Sequence, residues 1–411
     1  MVAGFGKEAL SPRLNRVLRI VFWLLFIEFL SGIVWGVHRG LYALFTREVL
    51  MITSFTQIGL VVSVFGLMKA VTNLGLGALS DRTGRRPVII LGMIVTGFGG
   101  LLIAISSSYA EMVLGTALIG LGGGGAFVGI MVSMTETLAS RKGLAIGLFE
   151  LAAYGGSSFG SALAGYLAVS EGLRQPFYIT VVLSGLGAAA AFFALRETRV
   201  PKKTLSVSTV GVRGSYVIAL RRSVPLCIAG FSSKIMDSLV WSFLPLYLVG
   251  LRMSVGEIAA ISAAFTFSWA LCQPLTGHIS DKFGRKGIVL AGLVISAACV
   301  LLYTLTSVFL VYFVFSLLLG VGAALFYTPL VAMVSDVSPA ELEGTLLGSY
   351  RFFRDMGYFV GPILLGSVAD LYGLGYASYI ASGSLLIAAM ILWFSSKETS
   401  QRIAHELRAD S

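Results

Sequence analysis

The chain has 411 residues, of which 56% are hydrophobic and only 12% are charged. Soluble globular domains carry about 25% charged residues, so this composition excludes an ordinary soluble enzyme. The net charge of +10 would suit nucleic acid, but the basic residues are spread over short segments between apolar stretches rather than gathered in one patch. We therefore expect a protein embedded in a lipid bilayer, with no nucleic-acid partner.

Apolar stretches of the ~20 residues needed to cross a bilayer follow one another along the chain. All are predicted to be α-helices, because open sheet edges cannot be left in lipid and a barrel would show short alternating segments. Twelve can be placed in chain order, at 17–45, 54–79, 87–106, 109–135, 143–169, 175–195, 223–249, 255–280, 287–306, 308–335, 343–369 and 375–395.

One extended polar break, at 196–222, divides the twelve spans into two sets of six. The prediction is an all-α membrane protein with an N-terminal six-helix bundle at 1–195 and a linker at 196–222. A C-terminal six-helix bundle with a short tail follows at 223–411. Most of the 30 Lys and Arg residues lie at the sequence start, in even-numbered loops or at the end. Such loops stay in the cytoplasm, so both termini are predicted to be cytoplasmic in a multi-pass protein of the cell membrane.

The sequence has no convincing motif for binding a cofactor or a metal. The run from Gly120 to Gly125 matches a dinucleotide pattern but lies inside an apolar span rather than after a strand. The phosphate-cradling G-x-x-x-x-G-K-[ST] pattern is absent from the sequence, so an ion or substrate gradient is the expected energy source. His38, His278 and His405 are scattered, and the three cysteines lie in apolar spans, where a thiol behaves as a small hydrophobe. We predict no enzyme activity, no metal site and no cofactor.

A ten-residue pattern occurs twice, as GALSDRTGRR at 77–86 and as GHISDKFGRK at 277–286, each between apolar spans. A repeat at a fixed offset indicates that the chain is internally duplicated. A basic loop that only sets orientation would explain the arginines, but not the regular glycines or the aspartate. Glu136 and Asp336 keep the same offset at the ends of the fourth and tenth spans.

With these motifs the chain resembles transporters of the major facilitator superfamily over nearly its whole length. The resemblance implies two six-helix bundles around a central cavity that opens alternately to either side of the membrane. It also implies that Asp81 and Asp281 face the cytoplasmic starts of the eleventh and fifth helices, with Glu136 and Asp336 as partners of Arg85 and Arg285. We predict a cytoplasmic latch that gates the cavity, formed by Gly77, Asp81, Arg82, Arg85, Glu136, Gly277, Asp281, Arg285 and Asp336.

A second repeat consists of small residues, which let helix backbones approach closely. Five glycines of the fourth loop and fifth span correspond to five of the tenth loop and eleventh span: Gly143, Gly147, Gly156, Gly160 and Gly165 match Gly344, Gly348, Gly357, Gly361 and Gly366.

Ionisable residues inside membrane spans are costly and are functional candidates by default. Glu28 lies deep in the first span with no acidic or basic residue within one helical turn, so desolvation favours its neutral form. A carboxyl group of this kind can load and release a proton as the cavity changes its access. We predict Glu28 as the first candidate for proton coupling, followed by Asp237 and Asp355.

The same spans supply the predicted substrate site. Lys69, Lys234, Arg351 and Arg354 are candidates for an anionic substrate group, since a guanidinium can grip carboxylate or phosphate. For Glu150 and the charges of the eleventh span, structural pairing is an equally good interpretation. The full predicted set is Trp35, Arg39, Lys69, Asn73, Glu150, Tyr154, Lys234, Trp241, Arg351, Arg354 and Tyr358. If Trp35 and Trp241 are equivalent in the repeat, Glu28 and Lys234 are equivalent too.

The predicted function is secondary active transport of a small organic solute by alternating access, coupled to protons, by a monomer. Export by antiport is placed ahead of uptake by proton symport or uniport; a non-transporting receptor or scaffold is a remote alternative. Two departures weaken an assignment to multidrug antiport. Thr116 stands where many exporters of this family carry arginine, and the fifth span has Gly155-Gly156 where they often have Gly-Pro.

Overall fold

The computed structural model describes residues 12–139, 142–198, 209–339 and 343–399. Side chains at 12–14, 74–79, 81, 142–143, 209–216 and 343–344 are outside this description. The first bundle contains α1 (Pro12–Glu48), α2 (Phe55–Thr83), α3 (Arg85–Ile105), α4 (Tyr109–Thr137), α5 (Lys142–Glu171) and α6 (Gln175–Ala194). The second contains α7 (Thr209–Ser238), α8 (Leu244–Gly250), α9 (Val255–Phe283), α10 (Arg285–Leu302), α11 (Phe309–Asp336), α12 (Glu343–Tyr372) and α13 (Leu374–Ser395).

The prediction of twelve membrane helices in two pseudo-symmetric bundles is confirmed. Within the described ranges, nine helices are both long enough and apolar enough to span a bilayer by composition alone. The other three long helices, α5, α7 and α12, also carry buried polar groups, among them Glu150, Asp237 and Asp355. Leu91, Phe98, Phe193 and Trp393 are among the large apolar side chains exposed on the outside of the bundles, as expected for a surface that faces lipid.

The seventh span is broken into two helices. Five residues, Leu239–Phe243, form a π-helical turn between α7 and α8. Pro245 follows directly, and proline lacks the N–H that would continue the regular helical bonding. Helix α7 begins at Thr209, inside the segment 196–222 that the sequence predicts as a linker.

Small residues set the packing inside each bundle. A Cβ atom at Gly156 or Gly160 of α5 would overlap the backbone of Phe29 or Ile33 on α1. In the second bundle, Gly357 of α12 stands in the same relation to Phe231 on α7, and Gly361 approaches Ile235 there. Two of the five glycine pairs, Gly156 with Gly357 and Gly160 with Gly361, therefore make equivalent helix contacts in the two halves.

These contacts correct the alignment of the two halves. Because Phe29 corresponds to Phe231 and Ile33 to Ile235, Trp35 corresponds to Asp237 rather than to Trp241. The suggested equivalence of Glu28 and Lys234 is wrong for the same reason, since Lys234 matches Gly32.

We call the end of the molecule that carries the junctions α2–α3 and α9–α10 the signature end. There, Arg85 of α3 pairs with Glu136 of α4 at 2.9 Å, and Arg285 of α10 pairs with Asp336 of α11 at 2.9 Å. Each junction turns at a glycine with positive φ, 105° at Gly84 and 94° at Gly284, a conformation that costs glycine little.

At the signature end, a second carboxylate in each half accepts a backbone N–H group at the start of another helix. Glu197, just after α6, accepts the backbone N–H of Arg85 at 2.9 Å. Glu398, just after α13, accepts the backbone N–H of Arg285 at the same distance. Both cap a helix N-terminus, where backbone N–H groups lack partners within the helix.

The two bundles meet along the opposite half of the molecule. Asp370, near the end of α12, accepts the backbone N–H groups of Phe55 at 2.7 Å and Thr56 at 2.9 Å, together with the hydroxyls of Ser54 and Thr56. Gly366 allows this approach, because a Cβ atom there would lie 2.7 Å from the carbonyl oxygen of Phe55. The start of α2 is thus bound to the end of α12.

Candidate functional site

A narrow central cavity lies between the bundles. Helices α1, α2, α4 and α5 line it from the first bundle, and α7, α11 and α12 line it from the second. The lining residues are Trp35, Arg39, Lys69, Phe127, Glu150, Ala153, Tyr154, Ser157, Lys234, Tyr327, Arg354 and Tyr358. Of the predicted substrate residues, Asn73, Trp241 and Arg351 lie outside this lining.

Asp237 links the two bundles. Its carboxylate is fully buried and pairs with Arg39 of α1 and, at 3.1 Å, with Lys234 of its own helix. Tyr358 of α12 donates a third hydrogen bond to it. A buried charge is tolerated when it is paired and hydrogen-bonded in this way. Asp237 therefore sits in a cage of two cations and a phenol.

Trp241 does not face the cavity; it packs between the bundles. Its Nε1 donates to the backbone carbonyl of His38 at 3.2 Å. Its ring stacks on Tyr42 with centroids 6.0 Å apart and contacts Phe65 edge-on at 4.9 Å. The π-helical turn aims this side chain at α1, and such turns are frequent at functional sites.

A second polar chain crosses between the bundles closer to the signature end. Arg354 pairs with Asp355 at 2.8 Å, and Asn73 of α2 donates to the other oxygen of Asp355 at 2.7 Å. Arg354 also donates to the hydroxyl of Tyr327 at 2.8 Å, which in turn donates to Glu150 of α5 at 2.8 Å. Asp355 and Glu150 are therefore both held by groups from the opposite bundle.

Lys69 and Arg351 are held differently. Lys69, 4% exposed, has no carboxylate within 4.0 Å among the described side chains. Its Nζ lies 4.2 Å from the ring centroid of Trp35 and 4.9 Å from that of Phe127. Arg351, 7% exposed, lies over the same ring of Phe127 at 5.6 Å, and its Nη1 is buried without a hydrogen-bond partner. Aromatic faces attract cations, but only partly replace a counter-charge.

Glu28 is also incompletely satisfied. It is 1% exposed, and its Oε2 has no hydrogen-bond partner in the described part of the chain. Among the groups near enough to act on its charge are Glu150, which repels it, and Lys69, which attracts it. Glu28 is thus a buried carboxyl group outside the cavity lining, and it makes no salt bridge among the described side chains.

Sequence reasoning missed Phe127 and Tyr327 as lining residues. Both lie in strongly apolar spans, where an aromatic ring is usually a packing residue. The signal that could have found them is the repeat, since they keep the same offset of 200 as Glu136 and Asp336. Their ring environments differ, because the Tyr327 hydroxyl bonds two charged groups and Phe127 has none to offer.

The predicted gating residues gather at the signature end. Besides the pairs of Arg85 and Arg285 described above, the exposed Asp281 at the end of α9 lies 3.2 Å from Arg285 at the start of α10. Arg82 is an exposed residue of the last turn of α2, and Gly277 faces Thr328 of α11. Gly77 and the side chain of Asp81 lie outside the described residues, so their contacts are not part of this geometry.

Comparison with known proteins agrees with this architecture. The family model of the Major Facilitator Superfamily matches residues 24–224 and 226–409. This chain belongs to that superfamily.

Two relatives show the range of similarity within the superfamily. The multidrug resistance protein MdtG of Dickeya zeae is 27% identical over 356 residues, covering 84% of this chain and 85% of the relative. An uncharacterized MFS-type transporter of Methanocaldococcus jannaschii is 25% identical over 331 residues, covering 77% and 83%.

Solved structures share the fold. A bacterial homologue of the human lysosomal transporter Spinster, in an inward-facing and unoccupied conformation, superimposes with a TM-score of 0.75 at 15% identity, over 94% of this chain and 98% of the other. The nucleoside transporter NupG gives a TM-score of 0.73 at 14% identity, over 92% and 98%. This superfamily member is therefore a membrane-embedded, multi-pass transporter for small molecules.

Proposed function

We propose that this transporter is proton-coupled and exports a small organic solute in exchange for protons, as a monomer in the cell membrane with both termini in the cytoplasm. The similarity to MdtG, named as a multidrug resistance protein, supports export. The placement of basic residues at the signature end supports the orientation. The central cavity is the proposed substrate site, and rocking of the two bundles around it gives alternating access.

The observation that carries proton coupling is the state of Glu28. Its buried Oε2 has no partner, and it shares its surroundings with a second carboxyl group, Glu150. A buried carboxyl group without a salt bridge favours its neutral form, so Glu28 is the proposed proton carrier. Asp237 and Asp355 are the weaker candidates, because each is already compensated by arginine or lysine.

Alternating access requires both ends to open and close. In the structure the bundles are bound at the end opposite to the signature, through Asp370 and the glycine contacts. We assign this arrangement to the inward-facing side of the cycle. The latch at the signature end then closes the cavity toward the cytoplasm in the other state, with Asp81 and Asp281 meeting the starts of α12 and α5.

The test of coupling uses the full chain reconstituted in liposomes with a pH-sensitive dye inside. Glu28→Gln should lose substrate-driven proton movement while substrate binding persists. The matched control is Glu48→Gln, since Glu48 is 53% exposed at the end of the same helix. Undiminished proton movement in Glu28→Gln would contradict the proposal.

The latch is tested separately. Asp81→Asn should slow transport and shift the population of the two access states, because it removes the carboxylate that meets a helix N-terminus in the closed latch. Unchanged transport and unchanged populations would remove Asp81 from the mechanism.

Uptake by proton symport is the second candidate. It is favoured by Lys69, whose uncompensated charge suits an anion. Protonation of a nearby carboxyl group and binding of an anion help each other, so the proton and the solute would then move in the same direction. Reversing the imposed pH gradient distinguishes the two, because antiport and symport move solute in opposite directions.

A further inference from the structure

The buried charges of the cavity region do not balance. On the helices that meet at the centre, the buried cations are Arg39, Lys69, Lys234, Arg351 and Arg354, and the buried acids are Glu28, Glu150, Asp237 and Asp355. Ion pairs account for three of these cations, through Asp237 and Asp355. The other two, Lys69 and Arg351, have no carboxylate within 4.0 Å among the described side chains, and a buried cation that makes no ion pair is costly.

The two unpaired cations converge on one ring from different bundles. Lys69 belongs to α2 in the first bundle and Arg351 to α12 in the second, and both lie against Phe127 of α4. Phe127 stacks on Trp35, with centroids 5.6 Å apart and planes 13° from parallel. Two stacked aromatic rings therefore lie beside one cation from each bundle.

The symmetry-related position in the other half shows which kind of partner Arg351 lacks. Phe127 corresponds to Tyr327 at the offset of 200 described above. Glu150 corresponds to Arg351 at the offset of 201, which the glycine contacts establish. On one side, the Tyr327 hydroxyl donates to Glu150 across the bundles. On the other side the hydroxyl is missing and the acid is replaced by arginine, so the cross-bundle partner of Arg351 has to come from elsewhere.

We propose that Lys69 and Arg351 form an anion site whose ligand is an organic acid with a flat, apolar body. The inference rests on the proposed transport of a small organic solute through the central cavity, in either direction, and names the class of that solute. A carboxylate or phosphate group would be shared between the lysine, which acts as a point charge, and the guanidinium, which offers a fork of donors. The apolar body stacks against Trp35 and Phe127. Because the two cations belong to different bundles, the bound anion links them, and its release frees them to separate.

Lys234 is the less suitable anion ligand, although the sequence made it equally attractive. Its Nζ is already held by Asp237 and by the Tyr358 hydroxyl, each at 3.1 Å. Removing Lys234 would therefore disturb the Asp237 cage rather than report on a substrate charge.

The experiment compares three probes of one shape on the purified full chain in detergent. Naphthoate, naphthamide and naphthylmethylammonium carry negative, zero and positive charge on the same ring system. A ligand that binds the folded state raises its melting temperature by mass action. The proposal expects naphthoate, and naphthyl phosphate, to bind more tightly than the amide and the amine. Equal binding of naphthoate and naphthamide to the unaltered protein would overturn it.

Variants locate the site. Lys69→Met keeps the length of the side chain without its charge and should weaken naphthoate about 10- to 100-fold, as expected for a charge-assisted hydrogen bond. Arg351→Gln should also lower the affinity for naphthoate, whereas Lys69→Arg should retain most of it. The control is Arg47→Gln, at a half-exposed position, which should leave the affinity unchanged. Unchanged naphthoate affinity in Lys69→Met would exclude the site. Should that variant fail to fold, the probe series on the unaltered protein still decides.

The experiments can overturn the anion site and the proton coupling independently of each other. Tight binding of naphthylmethylammonium, with proton movement that needs Glu28, would overturn the anion site and leave proton-coupled transport standing. Binding of naphthoate through Lys69 without any proton movement would keep the anion site and overturn proton coupling.

Discussion

The two halves of the molecule repeat each other closely at the signature end and diverge at the centre. Arg85 with Glu136 and Arg285 with Asp336 are the same pair at the same distance. At the centre, Asp237 occupies the position of Trp35, and Arg351 that of Glu150. The second half pairs its lysine and its Arg354 internally, while the first leaves Glu28 and Lys69 incompletely satisfied. Where the halves agree they hold helices together, and where they differ lie the groups that we propose for a ligand and a proton.

The largest effect should come from breaking the paired centre of the second half. Asp237→Asn leaves two buried cations, Arg39 and Lys234, without their shared carboxylate, and we expect a loss of roughly 3–5 kcal/mol of stability. Thermal unfolding in detergent measures it. The double variant Asp237→Asn with Arg39→Gln should recover part of the loss, because it removes one stranded charge. A double variant less stable than the single would argue against the cage.

The next effect tests the symmetry-related rings. Tyr327→Phe makes the second half resemble the first and removes the hydroxyl that bonds Glu150 and Arg354. Loss of a partner for buried charged groups should cost about 1–3 kcal/mol, seen as a lower unfolding temperature. Tyr372→Phe, at an exposed position near the end of α12, is the control. Equal stability of both variants would mean that the hydroxyl contributes nothing.

A smaller effect concerns the contact between the bundles at the end opposite to the signature. Asp370→Asn keeps the shape but weakens the hydrogen bonds to the start of α2, by about 1 kcal/mol. The population with this end open should rise several-fold. Distances between spin labels at Ser107 and Ser307, in a variant without its native cysteines, would report it. An unchanged distance distribution would show that Asp370 is not a gate.

The smallest effect is expected from the opposite substitution, phenylalanine to tyrosine, at the symmetry-related ring of the first half. Phe127→Tyr supplies a hydroxyl beside Arg351, which then gains a partner within the protein. We expect naphthoate affinity to fall a few-fold, since the new hydrogen bond competes with the ligand. Affinity equal to or above that of the unaltered protein would indicate that Arg351 does not contact the anion.

The architecture was accessible from sequence because a bilayer imposes it. Helices of fixed length, basic loops and a segment repeated at a constant offset leave few alternatives. The break in the seventh span was less accessible, since a π-helical turn ahead of Pro245 has no signature in hydropathy. The start of α7 at Thr209 was missed because its first residues are polar.

The site was predicted in part. Charged residues such as Lys69, Glu150 and Lys234 were singled out by their position in apolar spans, and they do line the cavity. Which of them are paired could not be read from sequence, because Arg39 and Asp237 are 198 residues apart and belong to different bundles. The tryptophans misled the alignment of the halves, since Trp35 and Trp241 look alike in sequence but lie at different depths of the repeat.

The capping carboxylates Glu197 and Glu398 have a consequence for how the protein is made. Each ties the end of the last helix of its half to the start of the third, so each half carries its own closing bond. The partners of the bonds within the first half are all present once Glu197 has left the ribosome, before the second half has been translated. Its helices can assemble in the bilayer as a finished unit, against which the later half then docks.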